Sequence, residues 1–178
     1  MTNLRTPKIY LREPAKRDQE ELLALNRASH NFHRGLVSPP TKATEYVSLL
    51  ERACSDAFAY FLICRKEDDA ILGLINLSQI FHGPFQSAYL GYYIAEKYAR
   101  QGFMTEALQL TLRHAFGNLK LHRLEANIQP GNTASVALVK RAGFVREGYS
   151  RRYLKIGGQW RDHERWALIA EDWKTRGR

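Results

Sequence analysis

The 178 residues are 44% hydrophobic and 25% charged, the balance of a soluble globular domain with a buried core, which excludes a disordered or low-complexity chain. Lys and Arg number 27 against 18 Asp and Glu, a formal charge of +9 that favours polyanionic partners such as a phosphate-rich cofactor, an acidic peptide, RNA or an anionic membrane. The longest apolar run, Ala57 to Cys64, is far too short to span a bilayer, and the stretch Met1 to Pro7 lacks the apolar core of a signal peptide.

In chain order, Lys8 to Arg12 alternates apolar and polar residues and reads as a first strand. Lys16 to Ala28 reads as a helix carrying Leu22, Leu23 and Leu25, and Ser29 to Pro40 as a loop ending in Pro-Pro. Thr41 to Ser55 reads as a second helix with Tyr46, Val47, Leu49, Leu50 and Ala53 inward. Ala57 to Arg65 and Ile71 to Ile80 form a hairpin around Glu67-Asp68-Asp69, and Ser87 to Ala95 follows as the next strand. Gly102 to Leu119 is the strongest helix, with Met104, Leu108, Leu112, Ala115 and Leu119 on one stripe. Arg123 to Gln129 is a strand, and Asn132 to Ala142 a helix with an Asn cap and Gly143 as its stop. Val145 to Ile156 and Gln159 to Ile169 flank the turn signal Gly157-Gly158. The expectation is one α/β (α+β) domain over 1–178, with a mixed, mostly antiparallel sheet of about seven strands flanked by about four helices.

Two segments carry the chemistry. In the first, Leu90-Gly91-Tyr92-Tyr93-Ile94 feeds the loop Ala99-Arg100-Gln101-Gly102, which opens into Phe103-Met104-Thr105 of the strongest helix. The first N–H groups of a helix have no partner inside it, so such a loop offers converging donors to a pyrophosphate. Gly102 lets the backbone approach a ligand closely, and Arg100 and Gln101 can add side-chain contacts. It is neither a Walker loop nor a three-glycine dinucleotide fingerprint. The second segment is Asn132-Thr133-Ala134-Ser135 at the start of a capped helix. Taken alone, Asn132 and Ser135 read as an ordinary helix N-terminus.

Strand, loop, helix, strand, Asn-x-x-Ser helix and Gly143-Phe144 together resemble the GNAT superfamily of acetyl-CoA-dependent N-acetyltransferases. Its loop is usually Gln/Arg-x-x-Gly-x-Gly/Ala; here Gly102 matches, while Ala99 and Met104 depart from it. Within the superfamily the chain is similar to the Rim-type enzymes that acetylate an N-terminal alanine of a ribosomal protein. Tyr89-Leu90-Gly91-Tyr92, Glu147-Gly148-Tyr149, Tyr153-Leu154 and Gly158-Gln159-Trp160-Arg161-Asp162-His163 carry that likeness.

The resemblance implies acetyl-CoA as cosubstrate, no metal, and a protein N-terminus as acceptor, with a ribosomal protein or the ribosome as partner. It implies that Tyr92, Tyr93, Ile94, Arg100, Gln101, Gly102, Phe103, Met104, Thr105, Asn132 and Ser135 bind the cofactor. The Ile94 amide then donates to the thioester carbonyl, and Ser135 serves the leaving thiolate. The tyrosine that many GNAT members place four residues before the glycine is Val139 here. The base stays open: a related enzyme's carboxylate falls at Arg152, leaving Asp162, Glu164, Glu125 or a chain of waters. The acceptor is open too, between a protein N-terminus and a small amine such as a polyamine, an amino acid or an antibiotic. A ribosome- or RNA-associated binding protein is the rival from another class, resting on the basic set Arg146, Arg151, Arg152, Lys155 and Arg161.

The remaining features suggest less. Cys54 and Cys64 have neither metal spacing nor a CxxC arrangement, and are expected as reduced residues of a cytoplasmic protein. His30 and His33 lack a third ligand nearby in sequence. The loop from Ser29 to Thr41 is placed to shape the substrate mouth, with Tyr92, Tyr93 and Phe103 lining the cleft. Trp160, Trp166 and Trp173 are expected to pack the last strands.

Overall fold

Seven strands make one sheet in the order β1-β2-β3-β4-β5-β7-β6, in a computed structural model that describes residues 7–176. The strands are β1 (Ile9–Arg12), β2 (Phe58–Arg65), β3 (Ile71–Phe81), β4 (Ser87–Ile94), β5 (Arg123–Ile128), β6 (Val145–Ile156) and β7 (Gln159–Ile169). Every neighbouring pair is antiparallel except β4 and β5, which run parallel. A parallel pair needs a crossover, and α4 (Phe103–Arg113) supplies it. Helices α1 (Gln19–Ala28), α3 (Ala43–Ala53) and α5 (Thr133–Ala142) are the other long ones.

Strand alternation sorts the core into two layers. On one face Leu90, Leu124, Ala126, Ile128, Trp166 and Leu168 meet Leu108 and Leu112 of α4 and Leu138 and Val139 of α5. Burying Leu108 and Leu112 contributes about 2 kcal/mol each. On the other face Leu62, Leu74 and Tyr93 meet Leu22 of α1 and Tyr46 and Leu49 of α3. The chain entering α1 is tied by Asp18, which is 5% exposed and takes a two-pronged contact from Arg12 at 2.7 Å on each oxygen.

Several elements differ from the sequence expectation. The segment read as a loop contains α2 (His30–His33), a single turn with no room for periodicity. The strongest helix ends its α-helical part at Arg113 and widens into a π-turn over His114–Asn118. A last helix, α6 (Ala170–Arg176), was not expected, and Trp173 packs from it against Phe116 rather than on a strand. Trp166 is buried, but Trp160 is 61% exposed at the β6–β7 tip and lies outside the core. Val47 also lies outward, and Cys54 is exposed just past α3 while Cys64 is buried. Among the described residues no helix is long and apolar enough to cross a membrane.

Gly73 fixes how closely β3 approaches β4. A Cβ at this position would overlap the Tyr93 carbonyl oxygen and stand 2.8 Å from the Ile94 Cα, both backbone atoms that cannot swing away. Gly73→Ala is expected to lower the unfolding free energy by about 2–3 kcal/mol, through forced separation of the strands. Urea denaturation measures this, and an unchanged midpoint would contradict the close approach.

Candidate active site

Strands β4 and β5 pair only at Ser87–Arg123, Ala88–Leu124 and Tyr89–Glu125. Beyond Tyr89 they part, while β4 stays paired to β3 through Ile94 and β5 to β7 through Ile128. The Ala95 amide donates to the Leu72 carbonyl at 2.9 Å, so residue 95 faces β3. Backbone polar groups alternate sides along a strand, so the N–H and C=O of Ile94 and of Tyr92 turn toward the gap. The Ile94 carbonyl is met there by His33 Nε2 at 2.9 Å. A carbonyl only accepts, so this His33 nitrogen carries the hydrogen. The Ile94 N–H is left facing the opening.

The gap is part of a cavity of about 860 Å³ that runs from the β4–α4 loop across to β6 and β7. Its lining includes Tyr92, Tyr93, Ile94, Arg100, Gly102, Phe103, Met104, Thr105, Asn132 and Ser135, ten of the eleven positions singled out from the sequence. The eleventh, Gln101, is turned away: its amide donates to the Lys97 carbonyl at 2.8 Å and braces the loop. Gly102 adopts φ +86°, a left-handed conformation that disfavours side chains, and nothing lies within 4 Å of where its Cβ would be. Among the described residues no side chain caps α4, and the first helical bond there is Glu106 N to Gly102 O. The amides of 102–105 therefore remain free for an anion. The Phe103 ring itself packs in the core, edge-on to Tyr98, so that residue contributes backbone to the cleft.

At α5, Asn132 caps the helix by accepting from the Ser135 amide at 3.2 Å. The Ser135 hydroxyl lies 2.5 Å from the Tyr92 hydroxyl. Burial pushes the Tyr92 phenol up to about 12, against a smaller opposing effect of the Ser135 contact, so it stays protonated near neutrality. Val139 is fully buried in the core.

The two faces of β4 serve different compartments. Tyr92 projects toward α5, whereas the Tyr93 ring points to the α1 side, where Asn26 Nδ2 donates to its hydroxyl at 3.2 Å. The α1-side face of the cleft also carries Tyr89, Asn127 and His163, with Tyr153 reaching in from β6. His33 Nδ1 and Asn127 Oδ1 are buried there with no hydrogen-bond partner among the described residues. Periodicity marks neither Asn127 nor His163 as a site group, because a lone asparagine or histidine in an alternating strand looks like an ordinary pleat residue, while His33 sits in a single helical turn too short to show a period.

Charge in the lining is one-sided: Arg100 and Arg141 are present, with no Asp or Glu among the described lining residues. The three carboxylates considered from sequence are committed elsewhere. Asp162 accepts from the Tyr149 hydroxyl at 2.6 Å and the Arg152 amide at 2.7 Å, contacts that hold its carboxyl below the usual range. Glu164 pairs with Arg146 at 3.3 Å and accepts from the Trp166 indole at 3.1 Å. Glu125 pairs with Arg123 at 2.8 Å. Among the described residues no three His, Cys, Asp or Glu side chains are grouped to hold a metal.

A splayed β4–β5 pair fed by a glycine loop and a bare helix N-terminus is the architecture of an acyl-CoA-dependent acyltransferase. The Acetyltransferase (GNAT) domain model matches residues 8–145, and the chain belongs to this family. It is 34% identical to the probable N-acetyltransferase YjcK of Bacillus subtilis over 92% of this chain and 95% of that protein. It is 42% identical to the [ribosomal protein uS5]-alanine N-acetyltransferase of Escherichia coli over 67% of this chain and 61% of that enzyme. Among solved structures, RimJ of Mycobacterium smegmatis in complex with CoA-disulfide superposes with a TM-score of 0.83 at 28% identity, covering 96% of this chain and 90% of that one. The spermidine N-acetyltransferase SpeG of Vibrio cholerae, in complex with CoA and spermine, shares the fold with a TM-score of 0.81 at 22% identity, over 95% of this chain and 99% of that one.

Burial lowers the imidazole pKa of His33, His114 and His163 below 6.5, more than their polar neighbours raise it. A histidine with a depressed folded pKa binds its proton more readily when the chain is unfolded. Stability is therefore full above pH 6.5 and falls as the pH drops through 6.5 toward the folded values. Urea midpoints between pH 7.5 and 5.5 should show this decline. His33→Gln keeps a donor for the Ile94 carbonyl and should flatten it; an unchanged slope would contradict the buried neutral state of His33.

Proposed function

We propose that this enzyme acetylates the α-amine of a protein N-terminus in the cytoplasm, with an N-terminal alanine of a ribosomal protein as the leading acceptor. The observation that carries this reading is the lining of the cleft: hydrogen-bond acceptors without donors, two arginines, and no carboxylate among the described residues. A polyamine carries several ammonium charges, and holding it calls for carboxylates. An N-terminal α-amine, with a pKa near 8, is partly neutral at physiological pH and needs lone pairs to orient its N–H groups (about 7.7–8.0 in model peptides). The names of the Escherichia coli and Mycobacterium smegmatis relatives point the same way. The spermidine enzymes share the fold alone at their level of identity.

Bound acetyl-CoA would supply an activated acetyl group as a thioester. The free amides at 102–105 and the guanidinium groups of Arg100 and Arg141 suit its phosphates. The Ile94 N–H, held by β3 and by the His33 contact to its own carbonyl, is positioned to donate to an acyl oxygen that gains charge during transfer. The Ser135 hydroxyl, backed by Tyr92, is the proton donor for the departing sulfur. With Tyr92 donating to Ser135, the serine hydrogen is free to point into the cleft.

Two substitutions separate binding from turnover. Gly102→Val strains a left-handed position at a cost of about 1–2 kcal/mol. It also crowds the bare amides, and the acetyl-CoA Kd measured by calorimetry is expected to rise about tenfold. Unchanged affinity would remove the phosphate-loop role. Ser135→Ala is expected to lower kcat about 10²-fold with acetyl-CoA affinity nearly unchanged, as for loss of a positioned proton donor. Wild-type kcat would remove that role.

The acceptor is tested by mass spectrometry of small-subunit ribosomal proteins after incubation with enzyme and acetyl-CoA, with spermidine in a parallel reaction. One acetyl group on an N-terminal alanine is the expected result. Acetylation of spermidine alone would overturn the N-terminal assignment while leaving the acetyltransferase intact.

A further inference from the structure

We propose that His163 is the catalytic base of the transfer reaction, taking the proton of the attacking amine on Nε2. The inference rests on the reading of the cleft as an acetyl-transfer site, but not on which amine enters it. His163 lies on β7, two residues before Arg165, the register partner of Asn127 on β5. The residue is 3% exposed and lines the same cavity as Ile94 and Ser135.

The tautomer is fixed by geometry. Nδ1 lies 2.9 Å from the Arg161 carbonyl oxygen, which can only accept, so Nδ1 carries the hydrogen. Nε2 then carries the lone pair. It has no protein partner among the described residues, and unlike His33 Nδ1 it is not sealed from solvent. Tyr153 of β6 stacks edge-on with the ring at 6.2 Å, limiting its rotation. Asp162 and Arg161 precede it on β7, and the Asp162 charge favours the imidazolium that forms on proton transfer. Burial keeps the resting ring neutral and ready to accept.

The other candidates fail on the same page. His33 spends Nε2–H on the Ile94 carbonyl, and its Nδ1 is closed off, so it positions β4 rather than moving a proton. Asp162, Glu164 and Glu125 are all paired and none lines the cleft.

The step balances without a further reactant. The nitrogen lone pair forms the N–C bond to the thioester carbonyl carbon, and the C–S bond breaks with its electron pair on sulfur. The surplus proton on nitrogen passes to His163 Nε2 and from there to solvent. Sulfur takes a proton from Ser135, which solvent resupplies, so amine and thioester become amide and thiol.

The test is His163→Asn in the full chain, because the asparagine amide can keep the donor to the Arg161 carbonyl while Nε2 is lost. Initial rates are measured with an alanine-starting peptide and with spermidine, alongside acetyl-CoA affinity and thermal melting. The expected result is a kcat about 10²-fold lower, on whichever amine the wild type accepts, with affinity and melting unchanged. In His163→Ala, added imidazole is expected to restore part of the rate. A kcat within about threefold of wild type in His163→Asn would assign proton removal to water and overturn the proposal (a general base contributes ~10²–10⁴). A loss of rate that imidazole does not relieve and that tracks a fall in melting temperature would reduce His163 to a structural residue. Wild-type activity on spermidine alone would overturn the N-terminal reading without touching this comparison.

Discussion

Below Tyr89 and Glu125 the strands β4 and β5 are hydrogen-bonded; above them each keeps its outer neighbour and loses the inner one. A sheet interior ordinarily leaves no backbone group unpaired, because an unmatched donor or acceptor away from water is costly. Here the open row of Tyr92 and Ile94 is preserved by stiff support on the far side. Gly73 brings β3 tightly against Tyr93 and Ile94, and His33 caps one of the freed carbonyls. The result is a fixed donor at the bottom of a cleft, and the other site features are arranged around it.

The alternation of β4 divides that cleft into two functional sides. Tyr92 and Ile94 face the α4–α5 layer, where the bare helix N-terminus, Ser135 and the capping Asn132 gather. Tyr93 faces the α1 layer with His33, and Asn127 and His163 continue this side across β5 and β7. On the proposed function, an anionic cosubstrate and a neutral or weakly cationic amine would meet different surfaces of one opening. The positive charge on the first side attracts phosphate, and the absence of carboxylates among the described lining residues gives a polycation little to bind.

Much of this was legible in the sequence, for reasons of local chemistry. The loop at Gly102, the Asn132 cap and the β6–β7 hairpin are short-range signals, and the strands and the four long helices follow from apolar spacing. What escaped is of two kinds. Single-turn and terminal helices, α2 and α6, are too short to show a period, so His33 and Trp173 were read in the wrong setting. The rest is long-range. Nothing near residue 92 announces that its hydroxyl will meet Ser135, 43 residues away, and nothing near residue 163 reveals that its ring faces a gap. Likewise the partners of the carboxylates weighed as bases are set by packing, which gives Glu125 and Glu164 to arginines and Asp162 to the Arg152 amide.

The central claim is that the Ile94 amide is an unpaired backbone donor waiting for the acyl oxygen. Residue-resolved amide exchange by NMR, with and without acetyl-CoA, tests it most directly. The amides of Tyr93 and Ala95, paired to β3, should exchange slowly in both states, whereas that of Ile94 should gain protection only when acetyl-CoA is present, together with those at 102–105. An Ile94 amide already protected in the free enzyme, or unchanged at saturating acetyl-CoA, would contradict the account.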